Sequence, residues 1–241
     1  MPPNTVTHPV PLGDGVFVNY GTRACSFSAT RLARLILKTD GTMPAFLHIG
    51  CGGKRKDQTT RGFNKPEWQE IRVDIDPRVQ PDIVASITDM SAVPDESVDA
   101  IFTSHTIEHL YPHEVPVALR EFLRVLKPEG FAVITCPDLQ SVCALVAEDK
   151  LTETAYVSPA GPIAPIDIIY GHRPSLARGN LYMAHHCGFT QRVLVGTLQA
   201  AGFKSVASMR RGHPYYDRWA LATKSPMDEE ALRALAREHF P

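Results

Sequence analysis

The chain has almost no net charge: 25 Lys and Arg against 26 Asp and Glu leave −1 at pH 7. Nucleic acids and anionic membranes recruit proteins through clustered cations. No basic stripe is present, so neither is an expected partner. No apolar run approaches the roughly 18 residues of a membrane span. The first residues, MPPNTVTHPVPLGDG, have neither a basic end nor an apolar segment, so a signal peptide is not expected and the location reads as cytoplasmic. Cysteine is sparse: Cys25, Cys51, Cys136, Cys143 and Cys187 are odd in number and form no C-x-x-C pair. That pattern excludes a disulfide framework and a zinc knuckle and fits reduced thiols. Internal repeats and low-complexity tracts are lacking too.

What is present starts with AFLHIGCGGK, residues 45–54. Ala45 to Ile49 is short and apolar enough for a buried strand, and it runs into Gly50-Cys51-Gly52-Gly53, where side chains all but vanish. Clustered glycines after a strand supply positive φ and let a ligand approach the backbone. The dinucleotide pattern G-x-G-x-x-G needs glycine at position 55, where this chain has Arg55. About twenty residues on, IRVDID (residues 71–76) reads as a second strand ending in carboxylates. An acid at such a strand tip can accept hydrogen bonds from both ribose hydroxyls. A nucleoside ligand without a pyrophosphate is the expectation, S-adenosylmethionine rather than NAD.

HIGCGG, VDIDP, ESVDAIFTSHTIEHL and FLRVLKPEGFAVITCPD, in that order between about Phe46 and Phe203, resemble class I S-adenosylmethionine-dependent methyltransferases. The resemblance implies a Rossmann-like α/β fold: a largely parallel seven-stranded sheet, helices on both faces, and a lid inserted after strand five. It also implies cofactor contacts from His48, Gly50, Cys51, Gly52, Asp74 and Ile75. Adenine would meet Ser86, Ile87, Thr88 and Asp89, with Ser86 and Asp89 as alternatives for the exocyclic amine. Ser104 and His105 would follow at the end of strand four. One position departs: the family carries Asp or Glu two residues before the first glycine to hold the methionine amino group, and this chain has His48.

Residues 1–24 are rich in proline and glycine and read as a surface lead-in, from which the resemblance would let Tyr20 and Arg23 reach ligand. Ser28 can cap a helix with Leu32, Leu35 and Ile36 on one face. The polar stretch Lys54–Glu70 is expected to hold the first crossover helix and a loop. Asp82 to Ala85 is a short third strand, and Val98 to Thr103 is the fourth. His109 is expected to brace the adjoining helix. Val115, Leu119, Phe122, Leu123 and Leu126 mark one helix face. Pro128 and Gly130 are expected to stop that helix before strand five, Phe131 to Cys136. Pro137-Asp138 then makes Asp138 a candidate base at the cofactor end of the sheet.

Residues 139–187 leave the strand–helix alternation, and the long proline-broken part from 151 reads as a substrate lid. It contains Tyr170, His172 and Arg173 and closes at Met183-Ala184-His185-His186. Adjacent histidines rarely point the same way, so no metal is expected. Thr190 caps a helix ended by Gly202; strands over 204–209 and 219–223 and a charged peripheral helix over 228–239 complete a single domain of 1–241. The function expected is methyl transfer to a small molecule, a sugar or another biosynthetic intermediate, with a homodimer compatible. His105, Asp138, Tyr170, His185 and His186 are the candidate bases. The alternative is a protein that keeps the fold and binds cofactor or a partner without catalysis.

Overall fold

The computed structural model describes residues 43–241. The readings that fall on 1–24, Ser28 and its helix, Tyr20 and Arg23 lie outside them. The described chain builds one seven-stranded sheet. Its first five strands are β1 (Ala45–Ile49), β2 (Gln69–Asp74), β3 (Ile83–Val84), β4 (Val98–Ser104) and β5 (Leu126–Pro137). A small hairpin, β6 (Tyr156–Ser158) and β7 (Gly161–Ile163), stands apart from the sheet. β8 (Ser205–Arg211) and β9 (Asp217–Thr223) close the sheet, in the order β3-β2-β1-β4-β5-β9-β8. The first five are mutually parallel. β9 runs antiparallel to β5 and β8 to β9. Strand order therefore reverses between β1 and β4, and a crevice opens at their carboxyl ends.

Alternation along the strands sends side chains to two faces. Leu47, Ile49, Ile71, Ile101 and Ile134 pack with α1 (Val115–Val125) and α5 (Gln191–Ala201). Phe46, Ala100, Phe102, Phe131 and Val133 face the other way. Helix α1 is amphipathic as read, burying Val115, Ala118, Leu119, Phe122 and Val125. It does not need Pro128 and Gly130 to stop it: the chain turns extended at Leu126 and enters β5 directly. Both residues lie in β5 where the register with β4 shifts, so the missing proline donor is tolerated at that irregularity.

Two expectations are corrected on the second face. Lys54–Glu70 forms no crossover α-helix, only a three-residue 3₁₀ turn at Lys56–Gln58. The segment has no apolar 3.6-residue period, and Gly62 and Pro66 interrupt it. Phe63 instead stacks on Phe46 at 4.3 Å, with Trp68 edge-on to both. The helix expected to be peripheral, α6 (Glu229–His239), docks here. It buries Ala236 and His239, and Leu232, Leu235 and Phe240 pack beside them. His239 Nδ1 lies 2.8 Å from Thr60 Oγ1. Among the described residues no helix is long and apolar enough to cross a membrane.

Between β5 and α5 come α2 (Leu139–Ala147), the hairpin, α3 (Pro165–Tyr170) and α4 (Arg173–Ala177). Val142, Ile163 and Ile168 give this insertion a small core of its own. Asp167 holds its two short helices together by accepting from the Ala164 and Arg173 amides and the Arg173 guanidinium. Thr190 caps α5 from the Val193 amide, and Gly202 follows the helix at φ +122°.

Candidate active site

The turn after β1 is tied to β2, since the Gly50 and Cys51 amides both donate to the Val73 carbonyl. Gly50 has φ +63°, and a Cβ there would come within 2.4 Å of Thr106 Oγ1. Only glycine lets the turn pass so close to the loop after β4. Gly52 has φ +51° and nothing within 4 Å of a Cβ position, because it borders open space. The buried Arg72 fixes this turn from behind, donating to the Gly52, Lys54 and Gln80 carbonyls.

That open space is a cavity of about 370 Å³, with Gly50, Gly52, Asp74, Ile75, Ser86 and Ile87 on one wall. His105, His109, Met183 and His186 also line the cavity. At the tip of β2, Asp74 Oδ2 accepts from the Gly52 amide at 2.8 Å, and Oδ1 accepts from the Asp76 amide at 2.9 Å. Each oxygen keeps accepting capacity, so the carboxylate can take hydrogen bonds from a vicinal diol. The half-exposed Ile75 and the Ile87 beside it offer apolar surface to a flat ring. A nucleoside with free ribose hydroxyls fits this wall. Nothing on it cradles a pyrophosphate, in keeping with Arg55 in place of the third glycine.

Several residues expected here lie elsewhere. His48 is buried on the aromatic face, its Nδ1 2.6 Å from Glu70 Oε1, because odd and even residues of β1 face opposite ways. The Cys51 side chain is buried, and desolvation raises its thiol pKa to about 11. Ser104 Oγ pairs with Thr135 Oγ1 at 2.8 Å. Ser86 borders the cavity, but Thr88 and the exposed Asp89 do not. Ser86 Oγ and Thr88 Oγ1 bond each other at 2.7 Å, and Asp89 accepts from the Ser91 amide. Asp138 is fully buried and borders neither cavity. Its Oδ1 accepts from Arg218 Nη2 at 2.9 Å, making it half of an interior ion pair. Tyr170 faces solvent at 61% exposure and also borders neither cavity.

A second cavity, about 310 Å³, lies under the insertion. His105, His109 and Met183 line both spaces, so the two meet there. His105 directly follows β4 with φ +55°, a left-handed conformation rare outside glycine, anchored by its amide donating to Thr135 O at 2.9 Å. The turn that follows carries Glu108 and His109. The Glu108 backbone carbonyl accepts from the His186 amide at 2.8 Å and the Cys187 amide at 3.2 Å, joining the insertion's return path to this turn. His186 stacks on Tyr111 at 4.2 Å and borders the first cavity, whereas His185 borders the second. Burial lowers the His185 pKa and favours its neutral form. Burial also works against charge on Glu108, but the imidazoles of His105, His109 and His185 around it leave its pKa lowered. Glu108 and Arg72 were not singled out from sequence. For Arg72 the one signal was a charged residue between two apolar ones, Ile71-Arg72-Val73; Glu108, between Ile107 and His109, gave none.

Residues 47–134 match the family model described as a methyltransferase domain. No curated protein matches the chain. Among solved structures, a SAM-dependent methyltransferase from Methanosarcina mazei is 15% identical, with TM-score 0.51 over 77% of this chain and 94% of that one. A protein from Pyrococcus horikoshii is 14% identical, with TM-score 0.50 over 80% of this chain and 88% of that one. The 1,6-didemethyltoxoflavin N1-methyltransferase of Burkholderia thailandensis is 17% identical, with TM-score 0.49 over 83% and 79%. At such identities the first two structures speak for the fold alone. The family match spans β1 to β5, so that part of the chain is similar to a methyltransferase domain, on a fold shared with the Methanosarcina mazei methyltransferase.

Proposed function

We propose that the chain transfers a methyl group from S-adenosylmethionine to a small molecule, a sugar or another biosynthetic intermediate, held in the second cavity. The observation that carries this reading is the junction of the two cavities at His105, His109 and Met183. Asp74 holds the ribose, Ile75 and Ile87 flank the adenine, and Ser86 rather than Asp89 meets its edge. The cofactor's sulfonium makes its methyl electrophilic, so the protein's task is positioning, exclusion of water and, for an oxygen or nitrogen acceptor, proton removal. His105 is the best placed base, half-exposed between the cavities with Nδ1 3.2 Å from Glu108 Oε1. His186 is the second candidate, on the cofactor side. Residues 139–187 are the acceptor lid, roofing the second cavity with Tyr156, Ile163, Ile168 and His172.

A non-catalytic role drew on His48, yet that side chain faces Glu70 and leaves the cavity wall unaltered. Incubation of the protein with methyl-labelled S-adenosylmethionine and a fractionated cell extract tests the reading. Label should appear in the small-molecule fraction and fall sharply with His105→Ala. Label confined to nucleic acid or protein would refute it.

A further inference from the structure

We propose that Glu108, His109 and His185 form a binding site for one divalent transition-metal ion of the zinc class, on the wall between the two cavities, with coordination positions left open. One potential ligand atom from each residue lies within 4.8 Å of the others. The turn after β4 contributes Glu108 and His109, and the return path of the insertion contributes His185. That path is fixed by the His185 amide donating to Tyr170 O at 3.2 Å and the His186 amide donating to Glu108 O.

The carboxylate is the first argument. Glu108 is 1% exposed, and no well-aligned hydrogen bond reaches either of its side-chain oxygens. His105 Nδ1 approaches Oε1 to 3.2 Å, but Oε2 faces no donor. An interior carboxylate left this way is costly, and a cation is the partner that repairs it.

The histidines supply the second. His109 Nδ1 lies 2.9 Å from the Ala184 carbonyl, and His185 Nδ1 lies 2.8 Å from the Ile168 carbonyl. A carbonyl only accepts, so each Nδ1 carries the proton and each Nε2 keeps its lone pair free. Imidazoles that ligate metal are ordinarily held by this kind of bond on the opposite nitrogen. The rings lie edge to face with centroids 4.7 Å apart. Small ring rotations would bring the donors to the spacing of about 3.4 Å that bonds of about 2.1 Å at tetrahedral angles require.

Two imidazoles and one carboxylate select zinc, cobalt or a similar ion over magnesium or calcium, which take oxygen sets. Three protein ligands leave at least one position open. The open side faces the second cavity, where the ion would take an oxygen of the acceptor; this last part rests on the acceptor reading given above.

The test uses the whole protein, stripped with a chelator and titrated with cobalt(II) chloride. One equivalent should bind with intense visible bands of a four- or five-coordinate ion, and zinc should displace it. His185→Ala should weaken uptake on the order of 100-fold or more, while S-adenosylhomocysteine still binds by calorimetry. Glu108→Gln, nearly the same in shape, should weaken cobalt binding as well. No uptake by protein that binds S-adenosylhomocysteine would overturn the metal site and leave the cofactor assignment intact. Uptake unaffected by His185→Ala, or matched by magnesium, would overturn the ligand set or the class of ion. Acetohydroxamate, a bidentate oxygen ligand, should shift the cobalt bands. Unchanged bands would show a closed site and remove the acceptor's place on the metal.

Discussion

Asp74 makes the sharpest prediction, because its two loads can be separated. In the protein alone its carboxylate accepts from the Gly52 and Asp76 amides at 2.8 and 2.9 Å. Asp74→Ala releases both amides beside an open cavity, where water can replace the lost acceptor. Each such bond contributes about 0.5–1.5 kcal/mol net, so the fold should lose about 1–3 kcal/mol and survive. The cofactor loses a charge-assisted bond worth about 1.5–3 kcal/mol, which is about a 10–150-fold rise in Kd. Asp74→Asn is no benign control, since its amide NH₂ must confront one of the two backbone N–H donors. Calorimetry with S-adenosylhomocysteine and with its 2′-deoxy analogue isolates the ribose contribution. The analogue should bind the parent more weakly than S-adenosylhomocysteine does, and the two should converge on Asp74→Ala. A variant that binds S-adenosylhomocysteine as the parent does, or equal penalties for both ligands, would refute the ribose assignment.

Gly50→Ala should cost about 2–5 kcal/mol, adding the strain of φ +63° to the collision with Thr106. Gly50→Ala/Thr106→Ala should recover the collision part in urea titrations, and no recovery would show that Thr106 is not the obstacle. Arg218→Met leaves Asp138 buried without its partner and should cost about 3–5 kcal/mol, a Tm loss of about 6–20 °C in calorimetric scans. An unchanged Tm with lost turnover would return Asp138 to the catalytic candidates. Burial lowers the His239 pKa to about 4, below its ordinary 6.5, so the unfolded chain binds the extra proton between those values. Stability should therefore be full above pH 6.5 and decline by about 3 kcal/mol as pH falls to 4, and the His239→Phe variant should lack that part of the slope in urea titrations across pH.

The sheet's centre was legible because its signals are local. Ala45–Ile49, Val98–Ser104 and Phe131–Cys136 are short apolar runs, and the glycines and Asp74 stand where strand ends place them. The stretch from Lys54 to Glu70 misled because a helix was inferred from the usual alternation, while its aromatic contacts are with residues far along the chain. His48 misled by its number, since the alternation of β1 turns it away from the ligand. Asp138 sits at the expected strand end, but the charge that neutralises it comes from Arg218, 80 residues on. The Glu108, His109 and His185 cluster was illegible for the same reason. Its donors lie on two separate elements, and the local rule about adjacent histidines says nothing of what one of them meets across the fold.

The docking of α6 also sets a timetable. Phe63 and Phe131 pack against His239 with ring centroids 4.3 and 5.1 Å away, and the Thr60–His239 contact spans 179 residues. At a synthesis rate of about 5–20 residues per second, an interval of about 10–35 s separates the two partners' emergence. Once Phe131 has emerged, the nascent chain holds these aromatic side chains without this helix to cover them. Ribosomes translating this message should therefore be open to a holding chaperone at the sheet's aromatic face, and pausing before residue 229 would prolong that occupancy.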